Sequence, residues 1–269
     1  YTAAFAMQLY AYTLRWIASG RAPLSNGHES LLFISLAVAL AGLIFELVYR
    51  MGVPAGLGAL LTVIVLGVSM LSTFDPAIGP LVPVLVSYWL NIHVTIITSS
   101  YGFLGLSALI GALILILYML KRPGRENVRN AIKTLDNINY HVMVTGLGLL
   151  SIGTLLGGVW ANESWGRYWG WDAKETWSLV TILVYAIVLH FRFIPKLKSA
   201  WLTAALATAA IGSVVMTYFG VNYFLTGLHS YAQGDAAKVP NWVYIFTLIV
   251  LGLIAISGMV NNSRKWERT

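Results

Sequence analysis

Residues 99–120, SSYGFLGLSALIGALILILYML, decide the fold of this chain because they form an apolar stretch without a single charge. About 20 predominantly apolar residues cross the hydrocarbon core of a bilayer as an α-helix. Residues 1–17 look like the end of another such helix. Further spans are predicted at 31–49, 55–73, 137–159, 177–194, 200–219 and 242–260. The sequence therefore predicts an all-α, polytopic membrane helix bundle of about eight spans, the first of them partial.

The composition of the whole chain agrees with a membrane protein. Hydrophobic residues make up 58% of the 269 residues and charged residues only 10%, whereas soluble domains are about 25% charged. The net charge of +7 does not indicate nucleic-acid binding, because the basic residues lie between apolar stretches and form no stripe with interleaved aromatics. The chain has no cysteine, so it performs no thiol chemistry itself and any thiol must come from a partner.

The basic residues of the short loops predict the orientation in the membrane. One set of loops carries 12 Lys and Arg residues and the opposite set carries 5, and the positive-inside rule assigns the richer set to the cytoplasm. The outer face then receives the long connections, where function is expected. These are 18–30, 74–98, 160–176 and 220–241. Because the sequence opens with Tyr1 inside an apolar stretch, with neither Met nor a charged signal-peptide n-region, an upstream part of the protein is expected.

The outer segment 160–177 is the most unusual stretch of the sequence. An aromatic belt at the membrane surface explains any single tryptophan, but not five in one loop with Gly166 and Gly170 between them. The pattern favours a concave aromatic surface for a large, flat, hydrophobic ligand. The five tryptophans are Trp160, Trp165, Trp169, Trp171 and Trp177.

Charged residues of the same segment have two interpretations. Arg167 and Lys174 are candidate cations for anionic groups on the rim of the ligand. Asp172 is predicted to be the N-cap of the following helix, and Glu175, three residues later, completes a capping box. Contact of Asp172 with the ligand is the alternative.

The five histidines fall into three groups. His93 and His229 lie in predicted outer segments; either alone is more often a hydrogen-bonded interfacial residue, but together, beside an aromatic surface, they are candidate axial ligands of haem iron. His190 and His141 lie near the cytoplasmic ends of spans, where an ionisable group is a functional candidate. His28 is interpreted as structural. The spacing of the histidines does not favour a zinc site.

The run from Trp165 to Trp177, WGRYWGWDAKETW, resembles the WWD signature of the haem-handling proteins of cytochrome c biogenesis. Residues 157–162, GGVWAN, and 23–30, PLSNGHES, resemble the CcsA (ResC-type) branch of that family in particular. The resemblance covers nearly the whole chain, so that residues 1–269 form one CcsA-like membrane domain and 160–177 its haem-binding segment. At His28 the sequence departs from the family, where Tyr is usual.

The resemblance implies a set of ligands for haem b. The outer haem would be held between His93 and His229 at the WWD surface, and His190 would bind a haem within the membrane. The second ligand of His190 would come from the CcsB (ResB-type) half, which this chain lacks; in fused proteins that half precedes CcsA. A partner within the chain, His141, is the alternative.

The resemblance also implies a reaction and a location. Together with CcsB the chain would export haem and attach it to the thiols of a CxxCH motif in apocytochrome c, as a cytochrome c haem lyase or synthase. No general base is evident, so catalysis would rest on positioning. Trp165, Trp169 and Trp171 would contact the ring, and Arg167 and Lys174 the propionates. The membrane would be the bacterial inner membrane or the thylakoid, with lipid around the bundle and the WWD segment outside.

Two other functions remain open at this point. The chain could be a haem chaperone or exporter that hands haem to a separate synthase, since WWD surfaces also occur in the CcmC and CcmF relatives. It could also be a small-molecule transporter, which would require broken helices and polar residues at the midplane. The spans offer little of that kind, because Glu46 is the only acid well inside one.

Overall fold

The structure is a computed structural model that describes residues 1–71, 74–81, 85–121, 125–225, 239 and 241–263. As predicted, the described chain is helical and contains no strand. A 3₁₀ turn follows α6, and a π-helical turn joins α7 to α8. The α-helices are α1 (Thr2–Ser19), α2 (Gly27–Tyr49), α3 (Val53–Ser69), α4 (Tyr88–Leu120), α5 (Glu126–Trp165), α6 (Ala173–His190), α7 (Ala200–Val215), α8 (Val221–Phe224) and α9 (Asn241–Ser263).

Six of the described helical segments are long and apolar enough to cross a membrane. They are α2, α4, α5, α6 with its 3₁₀ turn, α7 continued through α8, and α9. Helix α3 is apolar but has only 17 residues. Helix α1, with 18 residues, is not among the six segments. The prediction of a polytopic helical membrane protein is therefore confirmed.

The structure corrects the predicted helix ends. Residues 88–98 were expected in an outer connection, but α4 begins at Tyr88 and runs for 33 residues. Helix α5 has 40 residues and includes 160–165 of the tryptophan-rich segment. Helix α3 ends at Ser69 instead of 73, where Met70 N–H bonds to Gly67 O at 3.2 Å. Hydropathy marks only an apolar stretch, whereas the helical hydrogen bonds of α4 and α5 continue past it and those of α3 end within it.

Contacts divide the chain into two compact units. Unit 1 comprises Tyr1–Leu106 and Thr145–Gly170, and unit 2 comprises Ser107–Val144 and Trp171–Thr269. Helices α4 and α5 each contribute to both units. The tryptophan-rich segment passes from unit 1 to unit 2 between Gly170 and Trp171.

A buried ionic cluster fixes the start of α2 in unit 1. The Glu29 carboxylate is fully buried and accepts hydrogen bonds from Arg15 at 3.2 Å and Arg21 at 2.9 Å. It also accepts from the backbone N–H and the hydroxyl of Ser25, at 3.0 and 2.8 Å. Both arginines donate to backbone carbonyls of the segment 74–81 as well. The cluster therefore joins α1, the start of α2 and this segment.

The helices of unit 2 are joined by small residues and hydroxyls. A Cβ built on Gly111 of α4 would lie 2.8 Å from the carbonyl oxygen of Ala204 on α7, so glycine is needed for this close approach. Ser107 of α4 donates to the Oδ1 atom of Asn139 on α5 at 2.6 Å. Thr181 of α6 and Thr217 of the π-helical turn share a hydrogen bond of 2.8 Å, and both are buried.

Candidate functional site

His93 lies in the second turn of α4 and is held by α5. Its Nδ1 atom is 2.7 Å from the carbonyl oxygen of Gly153. A carbonyl oxygen only accepts, so Nδ1 must carry the proton. In a neutral imidazole the lone pair then lies on Nε2, the nitrogen through which such a ring would bind a metal.

A stripe of glycines on α5 brings α4 close to it at this point. A Cβ built on Gly146, Gly153 or Gly157 would lie 3.0 Å or less from Leu104, Ile97 or His93, respectively. Seven and then four residues forward along α5 correspond to seven and then four residues backward along α4. The two helices are therefore antiparallel in one constant register through this part of unit 1, with His93 beside the last glycine of the stripe.

Two tryptophans form a chain of ring contacts that begins at the imidazole of His93. The ring of His93 is parallel to that of Trp160, with centroids 6.3 Å apart and an interplanar angle of 6°. Trp160 in turn meets Trp165 edge to face, with centroids 4.8 Å apart. Trp160 is only 3% exposed, so it supports both neighbours from inside the unit, whereas Trp165 is half-buried.

The chain folds back on α5 after Trp165. Gly166 has a φ of +70°, a conformation that favours glycine. The carbonyl oxygen of Tyr168 then approaches Gly158, where a built Cβ would lie 3.0 Å from it. The guanidinium of Arg167 occupies the space beside Gly170 that any side chain there would need. Trp169 is half-buried in this loop.

The remaining part of the tryptophan-rich segment belongs to unit 2. Trp171 has a φ of +60° and its side chain is 70% exposed. Asp172 caps α6, as predicted: its Oδ2 accepts from the Lys174 N–H at 3.1 Å, and Glu175 Oε2 accepts from the Asp172 N–H at 3.1 Å. The capping box fixes the start of α6 directly after an exposed indole.

The two predicted rim cations lie in different units. Arg167 belongs to unit 1 and Lys174 to unit 2. The Lys174 ammonium donates to Asn222 Oδ1 of α8 at 2.6 Å and lies 5.8 Å from the centre of the Tyr218 ring. Lys174 is therefore held by tertiary contacts within unit 2, and Asn222 itself is buried.

The other histidines differ in their surroundings. His190 is exposed at the end of α6, and its Nδ1 is 2.6 Å from Ala186 O of the same helix. His141 on α5 is also exposed and meets Tyr140 edge to face. His28 is half-buried, with Nδ1 2.9 Å from Ser69 O. His229 lies outside the described residues.

The structure joins to His93 three residues that were not predicted as parts of the site. Gly153 and Gly157 had no predicted role, and Trp160 was predicted only as one of the five tryptophans. The three residues follow each other at intervals of four and three, which places them on one face of a helix. Small residues at a spacing of four mark close helix packing in membranes, so this signal could have found Gly153 and Gly157, with Trp160 on the same face.

Fold and site define a class: an integral membrane protein built as a helical bundle, with an imidazole and two tryptophans in contact at one end of a helix pair. The family model for cytochrome c assembly proteins matches residues 24–229, and the chain belongs to this family as a CcsA-type cytochrome c biogenesis protein.

Curated relatives agree with the family. NrfI of Wolinella succinogenes is 47% identical over 231 residues, which are 86% of this chain and 25% of NrfI. The cytochrome c biogenesis protein CcsA of Chlamydomonas reinhardtii is 40% identical over 81% of this chain and 63% of its own length. CcsA of Gloeobacter violaceus is 34% identical over 81% of each chain. The chain therefore spans about a quarter of NrfI and less than two thirds of the Chlamydomonas protein.

Proposed function

We propose that this chain binds haem b at its WWD segment and, together with a CcsB-type half, attaches it covalently to the CxxCH motif of apocytochrome c. Haem is exported from the cytoplasmic side and presented on the outer face, with His93 and His229 as its axial ligands. The single observation that carries the proposal is the state of His93, whose Nδ1 is bound to Gly153 O while the ring stacks on Trp160. An imidazole fixed through Nδ1 is suited to bind iron through Nε2.

The aromatic residues beside His93 suit a porphyrin. Trp160 and Trp165 are already in contact in unit 1, and the half-buried Trp169 follows in the folded-back loop. Trp165, Trp169 and Trp171 contact the ring in this proposal, while buried Trp160 supports Trp165. Arg167 and Lys174 contact the propionates as charge-assisted donors, and Asp172 keeps the start of α6 in place.

The proposed reaction, addition of cysteine thiols to the vinyl groups of haem, requires mainly that the protein position the reactants. Each cysteine thiol of the substrate adds across one vinyl double bond of haem: the S–H bond and the π bond of the vinyl group break, a C–S bond and a C–H bond form, and no group leaves. The addition involves no net oxidation. The residues of this chain bind the haem, orient its vinyl groups and exclude competing reactions. The rate then rises because the thiol and the vinyl group are held close together in a suitable orientation.

His190 is the ligand of an inner haem in this proposal, with its second ligand from the CcsB-type half. The exposure of His190 at the end of α6 supports a partner outside the chain. Its Nδ1, bound to Ala186 O, again directs coordination to Nε2. His141 is exposed on α5 as well.

The test is co-expression of this chain, a CcsB-type half and an apocytochrome c in a host without its own cytochrome c maturation. Covalent haem on the cytochrome, detected after denaturing electrophoresis, is the expected result, and a cytochrome with Cys→Ala changes in CxxCH is the control. Haem that is bound to the membrane protein but never attached would instead identify a chaperone. A purified complex without haem in its absorption spectrum would overturn the proposal.

A further inference from the structure

We infer that Gly153 and Gly157 are the positioning residues of His93: the carbonyl oxygen of Gly153 selects the imidazole nitrogen that binds iron, and Gly157 provides the space for the ring. The inference deepens the proposed function and rests on it for the identity of the metal. The hydrogen bond to Gly153 and the position of the His93 ring are properties of the protein without haem.

The carbonyl oxygen of Gly153 fixes the position of the proton on the His93 imidazole. Gly153 O already accepts the helical hydrogen bond of α5, and its second lone pair meets His93 Nδ1 at 2.7 Å. This contact joins residues 60 positions apart, so it exists only when α4 and α5 are packed in their register. A carbonyl or carboxylate on the second nitrogen of a metal-binding histidine is the usual device that fixes the tautomer and the ring orientation.

Gly157 leaves space for the imidazole ring of His93. A Cβ built on Gly157 would lie 2.6 Å from His93 Cε1 and 2.9 Å from Nδ1, well inside van der Waals contact. An alanine there would push the imidazole away from both Gly153 O and the parallel face of Trp160. At Gly153 a Cβ would instead meet the backbone of Ile97 at 3.0 Å, so Gly153 sets the distance between the helices and Gly157 the position of the ring.

A second glycine of α5 distinguishes the positioning of His93 from a general effect on the helix. Gly148 lies on the same helix, and a Cβ built there meets nothing within 4 Å among the described residues. Gly148→Ala and Gly157→Ala add the same methyl group to α5 and favour the helix equally. A general effect on helix stability is therefore common to both variants, whereas displacement of the imidazole is expected only for Gly157→Ala.

The first experiment needs no haem. The full chain, labelled with ¹⁵N-histidine and prepared in lipid nanodiscs without haem, is examined by NMR, and the His93 signals are assigned as those lost in His93→Gln. We expect a protonated Nδ1 and an unprotonated Nε2 in the wild type and in Gly148→Ala, and altered His93 signals in Gly157→Ala. A protonated Nε2 in the wild type would overturn the role of Gly153, whether or not the protein binds haem.

The second experiment uses the haem-loaded complex with the CcsB-type half. Gly157→Ala should weaken haem binding about tenfold or more, the range for loss of an outer-shell partner, and convert a six-coordinate spectrum to a five-coordinate one that free imidazole restores. Gly148→Ala should keep the wild-type spectrum. Equal spectra and affinities for both variants would overturn the role of Gly157. If Gly157→Ala fails to fold while Gly148→Ala folds, the failure itself supports close packing at Gly157, and the wild-type NMR result still decides on Gly153.

Discussion

His93 and His190 make the same kind of hydrogen bond in different surroundings. Each has Nδ1 close to a backbone carbonyl oxygen, but the carbonyl belongs to another helix for His93 and to the preceding turn of the same helix for His190. His93 is half-buried and stacked on Trp160, whereas His190 is exposed. The first imidazole is oriented by tertiary structure, and the second only by its own helix.

The two surroundings indicate how each histidine would complete an iron site in the proposed function. Unit 1 already orients His93, so a haem at His93 would depend on residues of this chain. His190 is exposed at the end of a helix, so a haem at His190 would need a ligand from another group.

The largest effect is expected from His190. Replacement by Gly should deplete haem from both sites, because in the proposed function haem reaches the outer face through the inner site. His141→Gln is the matched control, since His141 is exposed in the same unit. The measurement is the haem content of the purified complex with the CcsB-type half, determined by absorption. A His190 variant with normal outer haem would refute the order of the sites, and haem loss in the His141 variant would identify His141 as the partner.

Replacement of His93 should affect only the outer haem. His93→Gly removes the ligand and leaves a space that free imidazole fills, so imidazole should restore the six-coordinate spectrum. The inner haem should stay. The same change at His229, which the sequence alone assigns, should behave alike. Unchanged six-coordinate spectra and full cytochrome maturation in both variants would show that neither histidine binds the iron.

Asn222 should matter through Lys174. Asn222→Leu removes the acceptor 2.6 Å from the ammonium and should cost about 1–3 kcal/mol, the usual range for a polar group that loses its buried partner. Asn222→Asp keeps an acceptor and is the control. Thermal unfolding in detergent measures the difference. Equal melting temperatures for Leu and wild type would mean that the contact contributes no stability.

The smallest effect is expected at Asp172. Asn caps a helix about as well as Asp, so Asp172→Asn should be mild, whereas Asp172→Ala should cost about 0.5–2 kcal/mol of stability. Thermal unfolding and haem content should be measured together. Should Asn reduce haem binding as much as Ala while the fold stays intact, the carboxylate has a chemical role in addition to its capping role.

Local features of this molecule could be predicted from the sequence. The apolar stretches gave the helices, because a membrane span depends only on composition over about 20 residues. The capping box of Asp172 and Glu175 was predicted because its partners are three residues apart and the geometry of a helix start is fixed.

Tertiary features could not be predicted in the same way. The sequence placed His93 in an outer connection, since polar residues around it lower the hydropathy, and so its place on α4 was missed. The contact with Gly153 depends on the register of two long helices, which composition does not specify. The passage of the tryptophan-rich segment from one unit to the other has no local signal either. Gly157 and Trp160 had a spacing signal, but its meaning depended on the helix facing them.

The cluster around Glu29 sets a limit on how this protein can be shortened. A chain engineered to begin at α2 would keep the fully buried carboxylate and lose both arginines that bind it. An ion pair broken in this way costs about 3–5 kcal/mol, a large part of the roughly 5–15 kcal/mol that stabilises a typical domain. A shortened piece designed for expression should therefore retain Arg15 and Arg21, and an engineered fusion joint does not belong in the loop between α1 and α2.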